Sequence, residues 1–111
     1  MERFGSVIEL NPNRVEDYKA LHRSVWPGVL EMIEKCNIRN YSIFLRLIHG
    51  HYLLFSYFEY FGDDYEADML RMIDDPLTKQ WWRRCEPCQL PLLDADTDEW
   101  WSSMEEVFHH D

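Results

Sequence analysis

Tyr18 and His22 stand four residues apart in a segment that reads as a helix, so they share one face. Histidine titrates near neutral pH and can give and take protons, and a phenol one turn away can hold a substrate hydroxyl. A surface or core histidine packed on an aromatic has the same spacing, so the pair alone leaves both readings open. The run Trp81-Trp82-Arg83-Arg84, with Trp100-Trp101 downstream, is the second candidate. Flat indole faces suit the apolar face of a sugar ring, and the indole N–H can bond a hydroxyl. Neighbours on a helix point about 100° apart, so one tryptophan can serve the core and the other a ligand. Burial in a subunit interface would use the same residues.

Other spacings are weaker. Cys85-Glu86-Pro87-Cys88 has CxxC spacing, but it follows a helix, whereas a redox pair wants its first cysteine at a helix N-terminus. A structural zinc site wants four ligands; no second CxxC or matching HxxxH is present, and Cys36 could add only a third. Two incidental thiols is the simpler account. His49-x-His51 and His109-His110-Asp111 could hold a metal weakly, but read better as solvated histidines. The nucleotide and hydrolase signatures GxGxxG, GxxxxGK[ST] and GxSxG are absent.

The elements that must position these residues follow from periodicity. Phe4 to Leu10 alternates as a strand, with Phe4, Ser6, Ile8 and Leu10 on one face. Asn13, with Glu16 three residues on, suggests an N-cap for a helix from about Arg14. Trp26-Pro27 divides that helix from a second one running to about Lys35, and Asn37 suits a left-handed exit. Tyr41–Ile48 and Tyr52–Tyr60 flank His49-Gly50 as an antiparallel hairpin. Asp63 or Asp64 can cap a helix carrying Tyr65, Met69, Met72 and Ile73, and Asp75-Pro76 ends it or restarts it. A short helix with Trp81 and Trp82 follows, to about Arg84. Cys88 to Asp98 reads as a loop, and Met104 to His109 as a last short strand. The order β, two-part α, β, β, α, β predicts an α+β fold: a ferredoxin-like split βαβ plan with a four-stranded antiparallel sheet and helices on one face.

Both faces of the hairpin are apolar. Helices can cover one of them, and the other needs a second layer, for which a second copy of the chain is the natural candidate. The 111 residues match one domain, spanning 1–111, with 46 % apolar and 15 % aromatic residues. A net charge of −10 argues against a nucleic-acid or anionic-membrane partner. No spanning apolar stretch or signal-peptide h-region is visible, and the odd count of three cysteines fits a reducing compartment; the expectation is a soluble, cytoplasmic protein.

Taken in order, Tyr18-x-x-x-His22-x-x-Val25-Trp26-Pro27, Asn40-Tyr41-Ser42-Ile43-Phe44-Leu45, Leu53-Leu54-Phe55, Trp81-Trp82 and Met104-Glu105-Glu106-Val107-Phe108 closely resemble the L-rhamnose mutarotase family. The resemblance runs from about Phe4 to His109. It implies a dimeric α/β barrel of ferredoxin-like protomers that interconverts the α and β anomers of L-rhamnose, or of a related 6-deoxysugar, without metal or cofactor. It also implies that His22 is the proton donor and that Tyr18, Tyr41, Trp81 and Trp82 line and orient the sugar. The chain departs from the family pattern at Gly28, where an acidic residue is common, and in the Cys85/Cys88 pair. A non-catalytic sugar- or small-ligand-binding dimer on the same fold is the alternative, and a monooxygenase-like member of the same barrel class is a third reading.

Overall fold

A computed structural model describes Met1–Asp111. Strand β1 (Glu2–Leu10) leads through a 3-10 turn at Pro12–Arg14 into helices α1 (Val15–Arg23) and α2 (Pro27–Lys35). Strands β2 (Ile38–Ile48) and β3 (His51–Tyr60) form the hairpin. Helices α3 (Tyr65–Asp74) and α4 (Pro76–Cys85) follow, then β4 (Gln89–Leu90) and β5 (Ser102–Met104). The antiparallel sheet runs β2-β3-β1-β4, the order of the split βαβ plan.

The fourth strand position differs from the sequence expectation. It is filled in two pieces: β4 pairs with Glu9 and Leu10, and β5 with Gly5 to Val7. The expected strand over Met104 to His109 is therefore corrected to Ser102–Met104. Beyond it the ladder with β1 stops although β1 runs on to Glu2; Glu106 keeps only a side-chain contact, to Arg3 at 2.9 Å, and Val107 and Phe108 are 89 % and 80 % exposed. The expected loop over Cys88 to Asp98 likewise begins with a strand.

Local chemistry explains most boundaries. Asn11, rather than Asn13, is the capping side chain; it accepts from the Asn13 N–H at 3.0 Å and closes the 3-10 turn, and α1 starts without a side-chain cap. Asp64 caps α3 by accepting from Ala67 N–H at 3.1 Å. Asp75 caps α4, accepting from the N–H and the hydroxyl of Thr78 at 2.9 and 2.7 Å. Asn37 takes the left-handed exit after α2 at φ 66°, and His49-Gly50 turns the hairpin at φ 50° and 80°.

The register puts Phe4, Ser6, Ile8 and Leu10 on the same face as Phe58, Ser56, Leu54 and Tyr52. This face meets the helices, and Ile8, Leu10, Leu54, Val29 and Trp81 are buried between the layers. A second cluster, Cys36, Ile38, Tyr60 and Met72, closes the far end under α3. There the Tyr60 hydroxyl donates to Asp68 at 2.5 Å, and Asn37 and Arg71 donate at 3.0 and 2.5 Å. These donors hold the Asp68 carboxyl down at about 2. Gly28 explains a departure noted above: a Cβ there would overlap the Leu77 side chain, so α2 and α4 pack through a position that takes no larger residue without moving Leu77.

On the opposite face, Val7, Phe55 and Phe44 lie side by side across β1, β3 and β2. Phe44 is 65 % exposed on this face, and no helix packs on it.

Candidate active site

One bulge decides which side chain of β2 enters the space between sheet and helices. Ile38 pairs with Tyr60 and Arg39 with Glu59, but Ser42 then pairs with Tyr57, so β2 carries one extra residue. Without it Asn40 would face the helices and Tyr41 the other side. Asn40 absorbs the bulge at φ 53° and donates its amide to Glu59 at 2.6 Å. Asparagine tolerates that conformation better than most residues. Tyr41 is thereby turned onto Phe58 at 5.4 Å and toward α1.

The cavity has two connected parts. A larger one, of about 460 Å³, is mainly apolar, with Val29, Ile33, Leu45 and Leu54 in its wall. A smaller one, of about 310 Å³, adds polar groups from Glu86, Gln89 and Trp100. Both volumes lie in the range of small-molecule sites, roughly 300–1,000 Å³. Tyr18, His22, Tyr41, Trp81 and Trp82 line both parts, so the structure brings all five sequence candidates to one place.

His22 is held from three sides. Tyr18 stacks on its ring at 4.2 Å, and Trp81 meets it edge-on at 5.3 Å. Trp26, just before α2, meets Trp81 edge-on at 5.3 Å in turn. The His22 Nδ1 lies 2.9 Å from the Tyr18 carbonyl oxygen. A carbonyl only accepts, so Nδ1 carries the hydrogen and neutral His22 keeps its lone pair on Nε2. Desolvation lowers the His22 pKa from 6.5, while the carbonyl bond works in the opposite direction. Neutral imidazole is therefore the resting form at neutral pH.

The phenols stay protonated. Burial pushes Tyr18 up strongly, and desolvation pushes Tyr41 up to about 12 even though 44 % of the residue is open to solvent. Gln89 Nε2 donates to the Tyr18 hydroxyl oxygen at 3.3 Å, and the Trp100 indole N–H donates to Gln89 Oε1 at 2.7 Å.

The remaining candidates add no redox or metal chemistry to the site. Cys85 lines the smaller part, but burial drives its thiol up to about 12, the reverse of a redox cysteine. Cys36, Cys85 and Cys88 are free and buried. His51 pairs with Glu9 at 2.8 Å, and His109 with Asp111 at 2.7 Å in the exposed tail. No three His, Cys, Asp or Glu side chains gather as metal ligands. Sequence reasoning missed Gln89 and the aliphatic wall. A two-residue strand is too short to show an alternation, and Val29 and Ile33 read only as helix packing.

The model of the L-rhamnose mutarotase family matches residues 3–110. The chain belongs to the L-rhamnose mutarotase family. A member of this family from Lactiplantibacillus plantarum, named L-rhamnose mutarotase, is 32 % identical over 113 aligned positions covering all of both chains. The crystal structure of L-rhamnose mutarotase from Formosa agariphila superposes with a TM-score of 0.73 at 22 % identity, covering both chains fully. The tetracenomycin F2 cyclase of Streptomyces glaucescens, a polyketide cyclase, shares the fold at a TM-score of 0.68 and 16 % identity. The architecture thus carries unlike chemistries, and it is the family match and the site that separate this chain from the cyclase.

Proposed function

We propose that this chain is an isomerase that interconverts the α and β anomers of L-rhamnose. The observation that carries the reading is His22: a neutral imidazole with an unencumbered Nε2 in a sugar-sized cavity walled by indoles and phenols. Ring opening needs a base at the anomeric hydroxyl and a donor at the ring oxygen. His22 Nε2 takes the O1 proton, the C1–O5 bond breaks, C1=O1 forms, and O5 receives a proton. Rotation about C1–C2 presents the other carbonyl face. O5 then attacks C1 and releases its proton while His22 returns its own to O1, so no proton is gained or lost. His22 is a proton acceptor in opening and the proton donor in closure. Proton transfers alone complete the cycle, and no redox step or cofactor enters it.

The two parts of the cavity suit a 6-deoxysugar. The hydroxyl-bearing edge meets the end holding Gln89 and Trp100, the ring face lies against Trp81 and Trp82, and the C6 methyl enters the aliphatic end. Exchange between the anomeric protons of L-rhamnose, measured by saturation-transfer NMR with and without protein, tests the activity; no protein-dependent exchange would leave a sugar-binding dimer without catalysis.

The assembly proposed with it is a homodimer, formed by two copies of the exposed face around Phe44, Phe55 and Val7. The centre of that face is apolar, with Arg3, Glu9, Glu59 and Arg46 around it, antiparallel sheets commonly bury one side in a layer, and no helix of the chain packs there. No helix is long and apolar enough to cross a membrane.

A further inference from the structure

Hydrogen-bond polarity in the wall of the site is set at its smaller end, by Gln89 and Trp100. Indole N–H only donates, so the Trp100 bond at 2.7 Å makes the Gln89 atom facing it the carbonyl oxygen. That settles the orientation of an amide whose oxygen and nitrogen otherwise look alike. The other end of Gln89, 3.3 Å from the Tyr18 hydroxyl oxygen, must then be its NH2 group. A lone pair of the phenol oxygen is taken by that donor, and the phenol's own hydrogen has no partner in the chain. The three residues come from separate places: Tyr18 from α1, Gln89 from β4, Trp100 from the loop before β5. Gln89 is 7 % exposed and Tyr18 5 %, so water does not substitute freely for either partner.

We propose that Gln89, oriented by Trp100, is a positioning residue that obliges Tyr18 to act as a hydrogen-bond donor into the cavity. This rests on the mutarotase reading and completes its proton inventory: His22 Nε2 offers a lone pair, and Tyr18 offers a hydrogen at the developing C5 oxyanion. A bare phenol could point its hydrogen either way; in this wall it has one direction. Burial, which raises the Tyr18 phenol, keeps the hydrogen in place until a strongly basic oxygen faces it. Gln89 lines the hydroxyl end of the cavity, and in this account it acts on the reacting C1–O5 bond only through Tyr18.

The test is Gln89→Glu, which keeps shape and reverses polarity. The introduced carboxylate accepts from Trp100 and from Tyr18 together, drawing the phenol hydrogen out of the cavity. Rhamnose exchange should show kcat lowered by about 10²-fold, the scale for losing one donor to a developing oxyanion, with KM moved much less. Two further readouts separate this from a structural lesion. Acidification should restore the variant relative to wild type, because a protonated carboxyl donates to Tyr18 and accepts from Trp100 as the amide does. In a Tyr18→Phe background the same substitution should change kcat by less than about twofold, since coupled residues are non-additive. Wild-type kcat in Gln89→Glu, or a loss that is independent of pH and undiminished in the Tyr18→Phe background, overturns the proposal. If the wild-type protein itself shows no exchange, the mutarotase reading fails first, and L-rhamnose affinity by calorimetry becomes the readout. Weakening of at least tenfold by Gln89→Glu that disappears in the Tyr18→Phe background then supports an oriented Tyr18 donor, and unchanged affinity, or weakening that persists in that background, overturns it.

Discussion

The Nδ1–H of His22 donates to the backbone carbonyl of Tyr18, its own helix neighbour one turn back, at 2.9 Å. The same pair of residues is stacked ring on ring at 4.2 Å. One turn of helix thus sets the tautomer, the ring plane and the phenol partner of the catalytic candidate. The i, i+4 spacing on the helix predicts the stack, but the tautomer follows only from which nitrogen meets the carbonyl.

A pH dependence follows with a definite sign. The His22 pKa is lowered from 6.5 by burial, and Nε2 must be unprotonated to accept the O1 proton. We expect kcat/KM for exchange to be level above pH 6.5 and to fall by about one log unit per pH unit below the depressed value. Stability moves the same way. The unfolded chain binds the proton first, so the His22 contribution is complete above 6.5 and is lost as pH falls through the folded value. Thermal melts of wild type and His22→Gln against pH isolate that part, and a melting difference that ignores pH would contradict it.

Selectivity should be modest where the wall is apolar. L-Mannose differs from L-rhamnose by a hydroxyl on C6, which would enter the aliphatic end lined by Val29, Ile33, Leu45 and Leu54. An apolar pocket rejects an added hydroxyl by only about 10². Comparing kcat/KM for the two sugars checks this, and equal values would move the methyl out of that end.

The bulge at Asn40 carries the placement of Tyr41. A β-branched residue at φ 53° is strained by roughly 1–2 kcal/mol, so Asn40→Val should lower stability by that order and favour a regular register. Sugar affinity should fall with it, because a regular strand turns Tyr41 to the other face. Asn40→Gly should leave both nearly unchanged. Denaturant melts and calorimetric titration read the two effects.

The exposed sheet face makes its own prediction. Phe44→Glu places a charge where two copies would meet, and sedimentation should show a monomer where the wild type is a dimer. A wild-type monomer would remove the need for the second layer.

Much of this is legible in the sequence. Periodicity and turn residues located the hairpin, the helix break at Trp26-Pro27 and the left-handed Asn37, because each is a local preference. The cap expected at Asn13 lies two residues earlier, because Asn11 offers the same side chain to a tighter turn. The last strand differs from expectation for another reason. Met104 to His109 reads as a short strand, but a strand forms only where the ladder does, and the ladder with β1 runs over Ser102–Met104 and stops there although β1 continues to Glu2. Tyr41, Trp81 and Trp82 were legible as residue types, whereas the bulge that turns Tyr41 and the Gln89 bond to Tyr18 depend on contacts between distant segments.

The measurement that bears most directly on the central claim is anomeric exchange of L-rhamnose by saturation-transfer NMR, for wild type and His22→Ala side by side. The account predicts protein-dependent exchange that falls by about 10²–10⁴-fold in the variant while sugar affinity changes little. Exchange in His22→Ala equal to that of wild type would contradict it and take His22 out of the mechanism.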